Sequence, residues 1–410
     1  MSDPTSISTT RIDIASETFK RAPGALCQEL RALGPLVRLK MPIVGMVHVA
    51  TTHAAVEELL KNDQDFSNDF LSHGPWLARW VMNVLPGPLR LLGRNMLVRD
   101  GADHRRMRKL VDGAFRRPMI AQLRDQITRL TDQHLDRLAA APDHDVVPHL
   151  ARNLPLAVIC EMLGLPIADR DKFSAWMAAM SSVASLPDFI RLTPALNRIK
   201  AYLTARFAEV RAQPPGERPA TLMAALVTEQ EQDGTIDDDE LIAMCFLLFV
   251  AGHETTTHAI SGGLLEILSH PERPTVANGA TAADEILRHV SPVMMSKPRM
   301  ALRDTRLAGH PIPAGSAVMA LLIAANRDPS VFAHPEQLDI TRTPNRHLAF
   351  GTGPHVCLGA WLARLEIEIV LKRFTARFPG ARLAIAPEDV PYAPAAGMRA
   401  ITRLPLHLPN

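Results

Sequence analysis

The spacing of hydrophobic residues predicts a chain built mainly from helices. Over most of the first 290 residues, apolar side chains recur at every third or fourth position, as in a helix with one buried face. The predicted helices cover 54–61, 103–115, 119–141, 154–163, 171–182, 194–212, 222–232, 237–269, 282–290 and 357–378. Helix is therefore the main element, and we expect a mainly α fold class.

Alternating apolar and polar residues predict a smaller amount of β structure at the two ends of the chain. A hairpin is expected over 36–52, and short strands over 299–302, 317–322 and 401–408. Loops are expected at 70–95, 182–193 and 213–220, where Pro and Gly accumulate or the periodicity is lost.

No linker, repeat or low-complexity tract divides the chain, so residues 1–410 are predicted to form a single domain. It would have a short disordered N-terminus over about 1–16, a helix-rich part over about 54–290, and a part with β structure over about 291–410.

Composition narrows the function classes. The 45 Lys and Arg against 43 Asp and Glu leave a formal charge of +2, so no nucleic-acid partner is expected. Four widely separated cysteines without a C-x-x-C pair argue against a disulfide framework. The apolar run 241–251 is too short to span a membrane, and the polar N-terminus does not resemble a signal peptide. A cytoplasmic protein without a membrane span is expected.

The segment 350–360 places one cysteine in a glycine-rich loop. It reads Phe-Gly-Thr-Gly-Pro-His-Val-Cys-Leu-Gly-Ala, which predicts a tight turn leading into a helix near Leu358. Backbone N–H groups and the positive end of that helix would favour the thiolate form of Cys357. Such a sulfur suits an axial haem ligand. A buried structural cysteine, a catalytic thiol assisted by His355 and a His-x-Cys metal pair are the alternatives.

The helix predicted over 237–269 carries a second unusual segment. It is apolar on all faces over 241–251 and then continues as Gly252-His253-Glu254-Thr255-Thr256-Thr257. Glycine, a carboxylate and threonines in the middle of a buried helix reduce its stability, which typically marks a functional site. We expect Gly252 to leave room for dioxygen, Thr255 to bond back to a carbonyl one turn earlier, and Glu254 to supply protons.

Both segments resemble signatures of the cytochrome P450 family. Residues 350–359 match the F-x-x-G-x-x-x-C-x-G haem-binding pattern, and residues 251–256 match the oxygen-activating A-G-x-[DE]-T-[TS] pattern. The resemblance implies a single triangular, mostly helical domain with a long central helix. It also implies haem b, with Cys357 as the axial ligand of the iron, and O2 as co-substrate.

The resemblance assigns further residues. Phe350 would pack beneath the haem near the sulfur, and Glu285 and Arg288 match an E-x-x-R pattern completed by Arg342. Cations for the haem propionates are expected at His104, Arg108, Arg299 and His355. A distal pocket is expected to include Trp76, Trp80, Met180, Leu247, Ala251, Val293, Met294, Met295 and Met398. Plain core packing is the alternative for each pocket residue.

The implied activity is insertion of one oxygen atom into a hydrophobic small molecule such as a terpenoid, steroid, polyketide or fatty acid. No flavin or iron–sulfur motif is present, so electrons would come from a separate ferredoxin and an NAD(P)H-dependent reductase. Arg105, Arg106 and Arg364 are the predicted docking residues of a monomeric enzyme. A haem-thiolate sensor or gas-binding protein is the alternative, although such a protein would not need Glu254 and Thr255.

Overall fold

The fold was analysed in a computed structural model of the chain. The structure describes residues 7–10, 12–41, 44–73, 93–169, 172, 176, 191–234, 236–270, 276, 278–394 and 397–409. Helices dominate these residues, as the hydrophobic periodicity predicts.

The described helices form most of the chain between the N-terminal hairpin and the last third. They are α1 (Glu17–Arg21), α2 (Pro23–Leu33), α3 (His53–Lys61), α4 (Phe70–His73), α5 (Gly101–Asp112), α6 (Arg117–Gln122), α7 (Arg124–Ala140), α8 (Asn153–Leu163), α9 (Thr193–Arg211), α10 (Leu222–Asp233), α11 (Asp238–Ser269), α12 (Gly279–Val290), α13 (Leu322–Ala325) and α14 (Ala360–Arg377). Among the described residues, no helix is both long enough and apolar enough to cross a bilayer.

The strands gather into one main sheet and two small hairpin-like pairs. They are β1 (Ser8–Thr9), β2 (Leu36–Met41), β3 (Gly45–Ala50), β4 (Phe66–Ser67), β5 (Arg299–Ala301), β6 (Thr305–Leu307), β7 (His310–Ile312), β8 (Ala317–Ala320), β9 (Arg382–Leu383) and β10 (Leu406–His407). The main sheet has the order β1-β2-β3-β8-β5-β4, while β6 pairs with β7 and β9 with β10. The predicted hairpin over 36–52 is confirmed as the antiparallel pair of β2 and β3, with Val37 opposite Val49.

The long helix α11 is fixed at its start and buried along its length. Asp237 caps it by accepting a hydrogen bond from the Glu240 N–H, and the Glu240 side chain accepts from the Asp237 N–H in return. This capping box satisfies donors that the first helical turn leaves unpaired. Beyond the cap, α11 packs against α8, α12 and α14, so it runs through the main hydrophobic core.

Two glycines of α11 let the helix α12 approach closely. A Cβ added at Gly262 would lie 2.5 Å from Cγ1 of Val290, and one added at Gly263 would lie 2.8 Å from Cγ2 of Ile286. Any larger residue would therefore separate these helices. This contact holds α12, which carries Glu285 and Arg288, against the central helix.

Several predicted boundaries need correction. The helix expected over 119–141 is two helices, because Leu123 (φ −80°, ψ −4°) departs from α-helical geometry between α6 and α7. Only Leu406–His407 of the strand predicted over 401–408 pairs in a ladder. Nearly all of the helix predicted over 171–182 lies outside the described residues, as does most of the loop predicted over 70–95.

The N-terminus is more ordered than expected. Ser8 and Thr9 pair in parallel with Val37 and Arg38 of β2, although disorder was predicted over about 1–16. A strand of two residues is too short to show an alternation of apolar and polar side chains. It forms because its backbone pairs with the edge strand of the sheet.

Candidate active site

The loop before α14 holds Cys357 in a backbone conformation that its glycines make possible. Gly351 and Gly353 have φ values of +66° and +76°, in the left-handed region that side chains disfavour. A Cβ on Gly353 would lie 2.5 Å from the carbonyl oxygen of Leu60 in α3. The Cys357 N–H donates to the Phe350 carbonyl at 2.9 Å. The loop is thus closed on itself and seated against the end of α3.

Cys357 differs from the other cysteines because its side chain is exposed, whereas Cys27, Cys160 and Cys245 are buried, as predicted. Helix α14 begins at Ala360, so the predicted start near Leu358 is wrong by about one half-turn. The Gly359 N–H still reaches the sulfur as a hydrogen-bond donor.

The expected preference for the thiolate is not met in the chain by itself. Although the Cys357 side chain has accessible surface, it lies in a recess surrounded by protein, and the resulting partial desolvation raises the pKa of its thiol. The Gly359 N–H, Arg108 and Arg364 act in the opposite direction but are outweighed. Because a coordinated thiol loses its proton to the metal, a sulfur with this environment would ionise on binding iron.

The predicted ion pair is present, and it is fully buried. The Arg288 guanidinium donates to both carboxylate oxygens of Glu285 at 2.8 Å, and both side chains have 0% exposure. Arg342 donates to the same carboxylate at 3.1 Å, as the sequence predicts, and Asn345 adds a further hydrogen bond at 3.0 Å. The Asp339 N–H donates at 2.9 Å. These bonds tie α12 to the chain that leads into the cysteine loop.

Arg299 has the geometry of an anion ligand. Its side chain is only 2% exposed, and its Nη1 donates to the Leu59 carbonyl at 2.5 Å. Its Nε and Nη2 have no hydrogen-bond partner among the described residues, although buried polar groups are nearly always paired. Two orphaned N–H groups of one guanidinium match the two oxygens of a carboxylate. The donor set therefore fits a haem propionate at this position.

The other predicted propionate ligands lie together beside the cysteine loop. His104, Arg108 and His355 line a cavity of about 260 Å³ with Asp63, Asp100 and Arg105. The rings of His104 and His355 are 4.1 Å apart. His355 Nε2 lies 3.0 Å from the Asp100 carboxylate, so His355 has a partner within the protein in addition to the predicted propionate.

His104 and Arg108 differ in charge and in their contacts with the cysteine loop. Desolvation, with His355 and Arg108 nearby, lowers the pKa of His104 to about 4, so its ring is neutral near pH 7. Arg108 donates to the carbonyls of Pro354 and Val356 at 3.2 and 2.8 Å, which anchors helix α5 to the cysteine loop. Arg108 thus has a structural contact in addition to any role toward a propionate.

The central part of α11 places Thr255 as predicted. The Thr255 hydroxyl donates to the Ala251 carbonyl at 2.9 Å, one turn earlier, within a continuous helix. Thr255 and Glu254 are partly exposed and Ala251 is exposed, while Thr256 and Thr257 are buried. The side of α11 with Ala251 and Thr255 is therefore an open face of an otherwise buried helix.

The prediction for Gly252 needs correction. A Cβ added there would lie 3.4 Å from the Ile159 side chain of α8, in van der Waals contact with a neighbouring helix. The hydrogen that replaces a side chain at Gly252 therefore faces α8, where an alanine would also fit. On the open face, the room beside Thr255 is set by the small side chain of Ala251, one turn away.

The predicted pocket residues divide into three groups. Leu247, Val293 and Met398 are partly exposed and Ala251 is exposed, and Val293 forms a β-bridge with Met398. Met294 and Met295, with 0% and 6% exposure, pack into the core beneath the main sheet, which corrects their assignment to the pocket. Trp76, Trp80 and Met180 lie outside the described residues.

Sequence reasoning missed Asp100. Asp100 accepts hydrogen bonds from Ser67, from the Asn68 backbone and side chain, and from the Asp69 N–H, in addition to its contact with His355. These contacts hold the pKa of its carboxyl well below the usual range. Asp100 directly precedes α5, but its carboxylate makes no capping hydrogen bond to that helix, so a capping pattern would not have revealed its contacts with residues 67–69.

Comparison with known proteins decides the family. The family model described as Cytochrome P450 matches residues 16–274 and 281–390. The chain belongs to the cytochrome P450 family. A vitamin D(3) 25-hydroxylase of Pseudonocardia autotrophica is 34% identical over 98% of each chain. The polyketide biosynthesis cytochrome P450 PksS of Bacillus subtilis is 38% identical over 77% of this chain and 78% of its own.

Solved P450 structures share the fold. A myxobacterial cytochrome P450, CYP267B1, in complex with myristic acid has a TM-score of 0.89, with 34% identity, 97% of this chain and 99% of that one covered. The predicted P450 fold is thereby confirmed. This P450 is a monooxygenase of the kind found in bacterial secondary metabolism, and family membership implies haem iron and the use of O2.

Proposed function

We propose that this P450 hydroxylates or epoxidises a hydrophobic small molecule, using O2 and two electrons from a ferredoxin and its NAD(P)H-dependent reductase. The observation that carries this proposal is the exposed Cys357 thiol on a loop fixed by its own backbone and by α3. We also propose that the protein acts as a cytoplasmic monomer without a flavin or iron–sulfur cluster of its own.

Haem b would be held by residues from three parts of the chain: the cysteine loop, β5 and α5. Cys357 would ligate the iron, Phe350 would pack beside the ring, and the two free N–H groups of Arg299 would bind a propionate. His104, Arg108 and His355 would lie at the second carboxylate. When bound, the thiolate-ligated haem supplies the oxygen-activating chemistry.

Protons would be delivered from α11. The Thr255 hydroxyl already donates to Ala251, and its oxygen remains able to accept a hydrogen bond from water at the open face of the helix. Glu254 is the adjacent acid, partly exposed and therefore able to exchange protons with solvent. This pair would hold and move protons, with Thr255 positioning the water.

The substrate class follows from the lining and from relatives. The partly exposed Leu247, Val293 and Met398 offer an apolar surface that suits a hydrophobic molecule, and Trp76, Trp80 and Met180 are proposed to extend it. Among the relatives, one is named a vitamin D(3) 25-hydroxylase and others a polyketide P450 and the monooxygenase PikC. Substrates of the terpenoid, steroid, polyketide or fatty acid classes are proposed for this chain.

Electron transfer would use the surface next to Cys357. Val356 and Trp361 flank the cysteine in sequence and are 37% and 41% exposed, which is unusual for large apolar side chains. The guanidinium groups of Arg117 and Arg364 lie 4.8 and 5.2 Å from the Trp361 ring. An exposed aromatic residue between two cations suits an acidic electron-transfer protein.

The predicted docking arginines are only partly available for this role. Arg105 is exposed, but Arg106 forms an ion pair with Glu240 at 2.9 Å and Arg364 one with Asp284 at 2.6 Å. We therefore propose Trp361 as the anchor, with Arg117 and Arg364 beside it. Replacement of Trp361 by Ala should raise the Kd for a purified acidic ferredoxin by roughly 10-fold or more, as for a docking hot spot.

Titration of the ferric enzyme with that ferredoxin measures this Kd, and Met46→Ala provides the control. Met46 is an equally exposed apolar residue (42%) on β3, and its loss should leave the Kd unchanged. Equal Kd values for the wild type and Trp361→Ala would place the docking site elsewhere.

The experiment that tests the proposed function is the absorption spectrum of the reduced protein with carbon monoxide, followed by product analysis with a hydrophobic substrate. A strongly red-shifted Soret band with oxygenated product supports a monooxygenase. The same band without oxygenation of any substrate that shifts the spin state would favour the haem-thiolate sensor instead. A folded protein that binds no haem would overturn both.

A further inference from the structure

Three contacts hold the Arg364 guanidinium in one position beside the cysteine loop. Its Nε donates to the Asp284 carboxylate of α12 at 2.6 Å. Its central carbon lies 4.8 Å from the centre of the Phe350 ring and 5.2 Å from the centre of the Trp361 ring. A cation at these distances is attracted by the face of an aromatic ring. The positive charge of Arg364 is therefore fixed against a residue of the cysteine loop.

The Asp284 carboxylate is positioned by a second donor. The oxygen that accepts from Arg364 also lies 3.2 Å from Nε2 of His347. Nδ1 of His347 accepts from the Ala349 N–H at 3.3 Å, so Nε2 carries the proton and donates to Asp284. The His347 ring lies 5.8 Å from the Phe350 ring. The carboxylate, the guanidinium and the cysteine loop thus form one connected unit.

This unit adjoins the proposed iron ligand. The Phe350 carbonyl accepts from the Cys357 N–H at 2.9 Å, and Arg364 lies in the second turn of α14, the helix that follows Cys357. The charge of Arg364 lowers the pKa of the Cys357 thiol, in opposition to desolvation. Arg364 is not among the described residues that line the cavity of the predicted propionate ligands. Its charge is therefore separate from the cations proposed for the propionates.

A fixed charge beside a metal ligand changes the reduction potential of the metal. One-electron reduction makes a thiolate-ligated haem more negative, so a nearby cation stabilises the reduced form and a nearby carboxylate destabilises it. The side chains of Arg364 and Asp284 are 30% and 32% exposed, so water and salt screen their charges only in part. Arg364 contacts the Phe350 ring directly. Asp284 reaches that ring only through Arg364 and His347, and the cation should therefore have the larger effect.

We propose that Arg364 raises the reduction potential of the haem bound at Cys357, and that Asp284 limits this increase. The inference rests on the proposed function, because only the haem-loaded protein has this potential. Arg364 is a positioning residue for charge and touches no reacting atom. Since it also contacts Trp361, the proposed docking anchor, the same cation lies between the surface that would receive the electron and the site that would take it up.

The test is a spectroelectrochemical titration of the ferric and ferrous forms of the substrate-free holoenzyme. Arg364→Gln removes the positive charge, and Arg364→Lys keeps it. Asp284→Asn removes the opposing charge, while its amide oxygen can still accept from Arg364. Arg373→Gln is the matched control, because Arg373 is a cation of the same helix that pairs with a carboxylate, that of Asp132, at 2.7 Å. Haem content and the carbon monoxide spectrum are recorded for every variant.

Arg364→Gln should shift the equilibrium about tenfold toward the ferric form, which corresponds to a potential about 59 mV lower for one electron. Asp284→Asn should raise the potential. Arg364→Lys should keep most of the wild-type potential, and Arg373→Gln should leave it unchanged. A merely structural contribution of the Arg364 and Asp284 pair would not move the potential in opposite directions when one or the other charge is removed.

An unchanged potential in Arg364→Gln would overturn the proposal. An equal decrease in Arg364→Lys would do so as well, because the charge would then not be the cause. If Arg364→Gln does not retain haem, Asp284→Asn decides: a higher potential supports the proposal, and an unchanged or lower one contradicts it. Absence of haem from the wild type would instead count against the proposed function itself, so the two failures are distinguishable.

Discussion

The two sides of the proposed haem site are built in different ways. The cysteine side is held by backbone contacts and by a buried charge network. The Cys357 N–H donates to the Phe350 carbonyl, Gly353 lies against the Leu60 carbonyl, and the Glu285 carboxylate accepts from five donors. The substrate side consists of single side chains on α11 and on the segment 293–299. Backbone geometry tolerates few residue types, whereas a pocket lining tolerates many. We therefore expect the pocket lining, apart from the signature at 251–256 on α11, to differ more between members of the family than the cysteine side does.

The largest expected effect comes from the cysteine side. Cys357→Ser should abolish the red-shifted Soret band of the reduced carbon monoxide complex, because a serine hydroxyl does not replace a thiolate ligand. The absorption spectrum measures this, with Cys245→Ser as a control at a buried cysteine remote in sequence. An unchanged spectrum in Cys357→Ser would assign the ligand to another residue.

The buried ion pair should be the next most sensitive feature. Glu285→Gln leaves Arg288 and Arg342 without their shared carboxylate, and we expect a loss of about 3–5 kcal/mol in the free energy of unfolding. Asp132→Asn breaks the surface pair of Asp132 with Arg373 and should cost less than about 1 kcal/mol. Urea denaturation of both variants measures the difference. Equal losses in the two variants would show that the buried Glu285 network stabilises the fold no more than a surface ion pair does.

Replacement on the substrate side should leave the fold intact and change the reaction. Thr255→Val is expected to keep haem and stability but to release more hydrogen peroxide per NADPH consumed, because proton delivery is impaired. Thr257→Val is the matched control: its hydroxyl makes the same bond to a carbonyl one turn earlier, at 2.8 Å, but is buried. If both variants release peroxide equally, Thr255 has no special part in proton delivery.

A further expected effect, which develops only on acidification, concerns the pH dependence of stability. Desolvation, with Arg152 and His253 nearby, lowers the pKa of His258 to about 3 from its ordinary value of 6.5. The folded state therefore keeps His258 neutral while the unfolded chain takes up a proton as the pH falls below 6.5. Stability is lost on acidification between these two values, with a slope of up to about 1.4 kcal/mol per pH unit.

His258→Gln isolates this contribution, because glutamine does not titrate. Urea denaturation at several pH values between about 4 and 7 should give a shallower loss of stability in the variant. Parallel curves for the wild type and the variant would mean that His258 is already solvated in the folded state.

The contrast between the two sides explains what could be predicted from the sequence. The roles of Cys357, Glu285 and Arg342 depend on fixed spacings, and the structure brings Glu285 and Arg342 together as expected. Helices appear where apolar residues repeat, because burial of one helical face decides their position. The pairing of Ser8 and Thr9 with β2 could not be predicted from the local sequence, because it depends on a strand that is distant in sequence.

The errors have physical causes as well. Met294 and Met295 were placed in the pocket because methionine suits both a pocket and a core, and only the backbone hydrogen bonds of their segment to Gly397 and Ala320 decide between them. Gly252 was given room for a ligand, but its neighbour Ile159 comes from another helix. Side-chain direction, which spacing alone does not define, separates these cases.

The end of α3 has a consequence for how the whole site keeps its dimensions. The carbonyl of Leu59 receives the Arg299 guanidinium, and the next carbonyl, that of Leu60, lies against Gly353. The end of α3 therefore positions both Arg299, at one edge of the proposed haem site, and the Cys357 loop, at the other edge. Insertion of a single residue into α3 would turn its end by about 100° and advance it by about 1.5 Å. Both edges would then lose register together, so the length of a helix that carries no reactive group is itself under functional constraint.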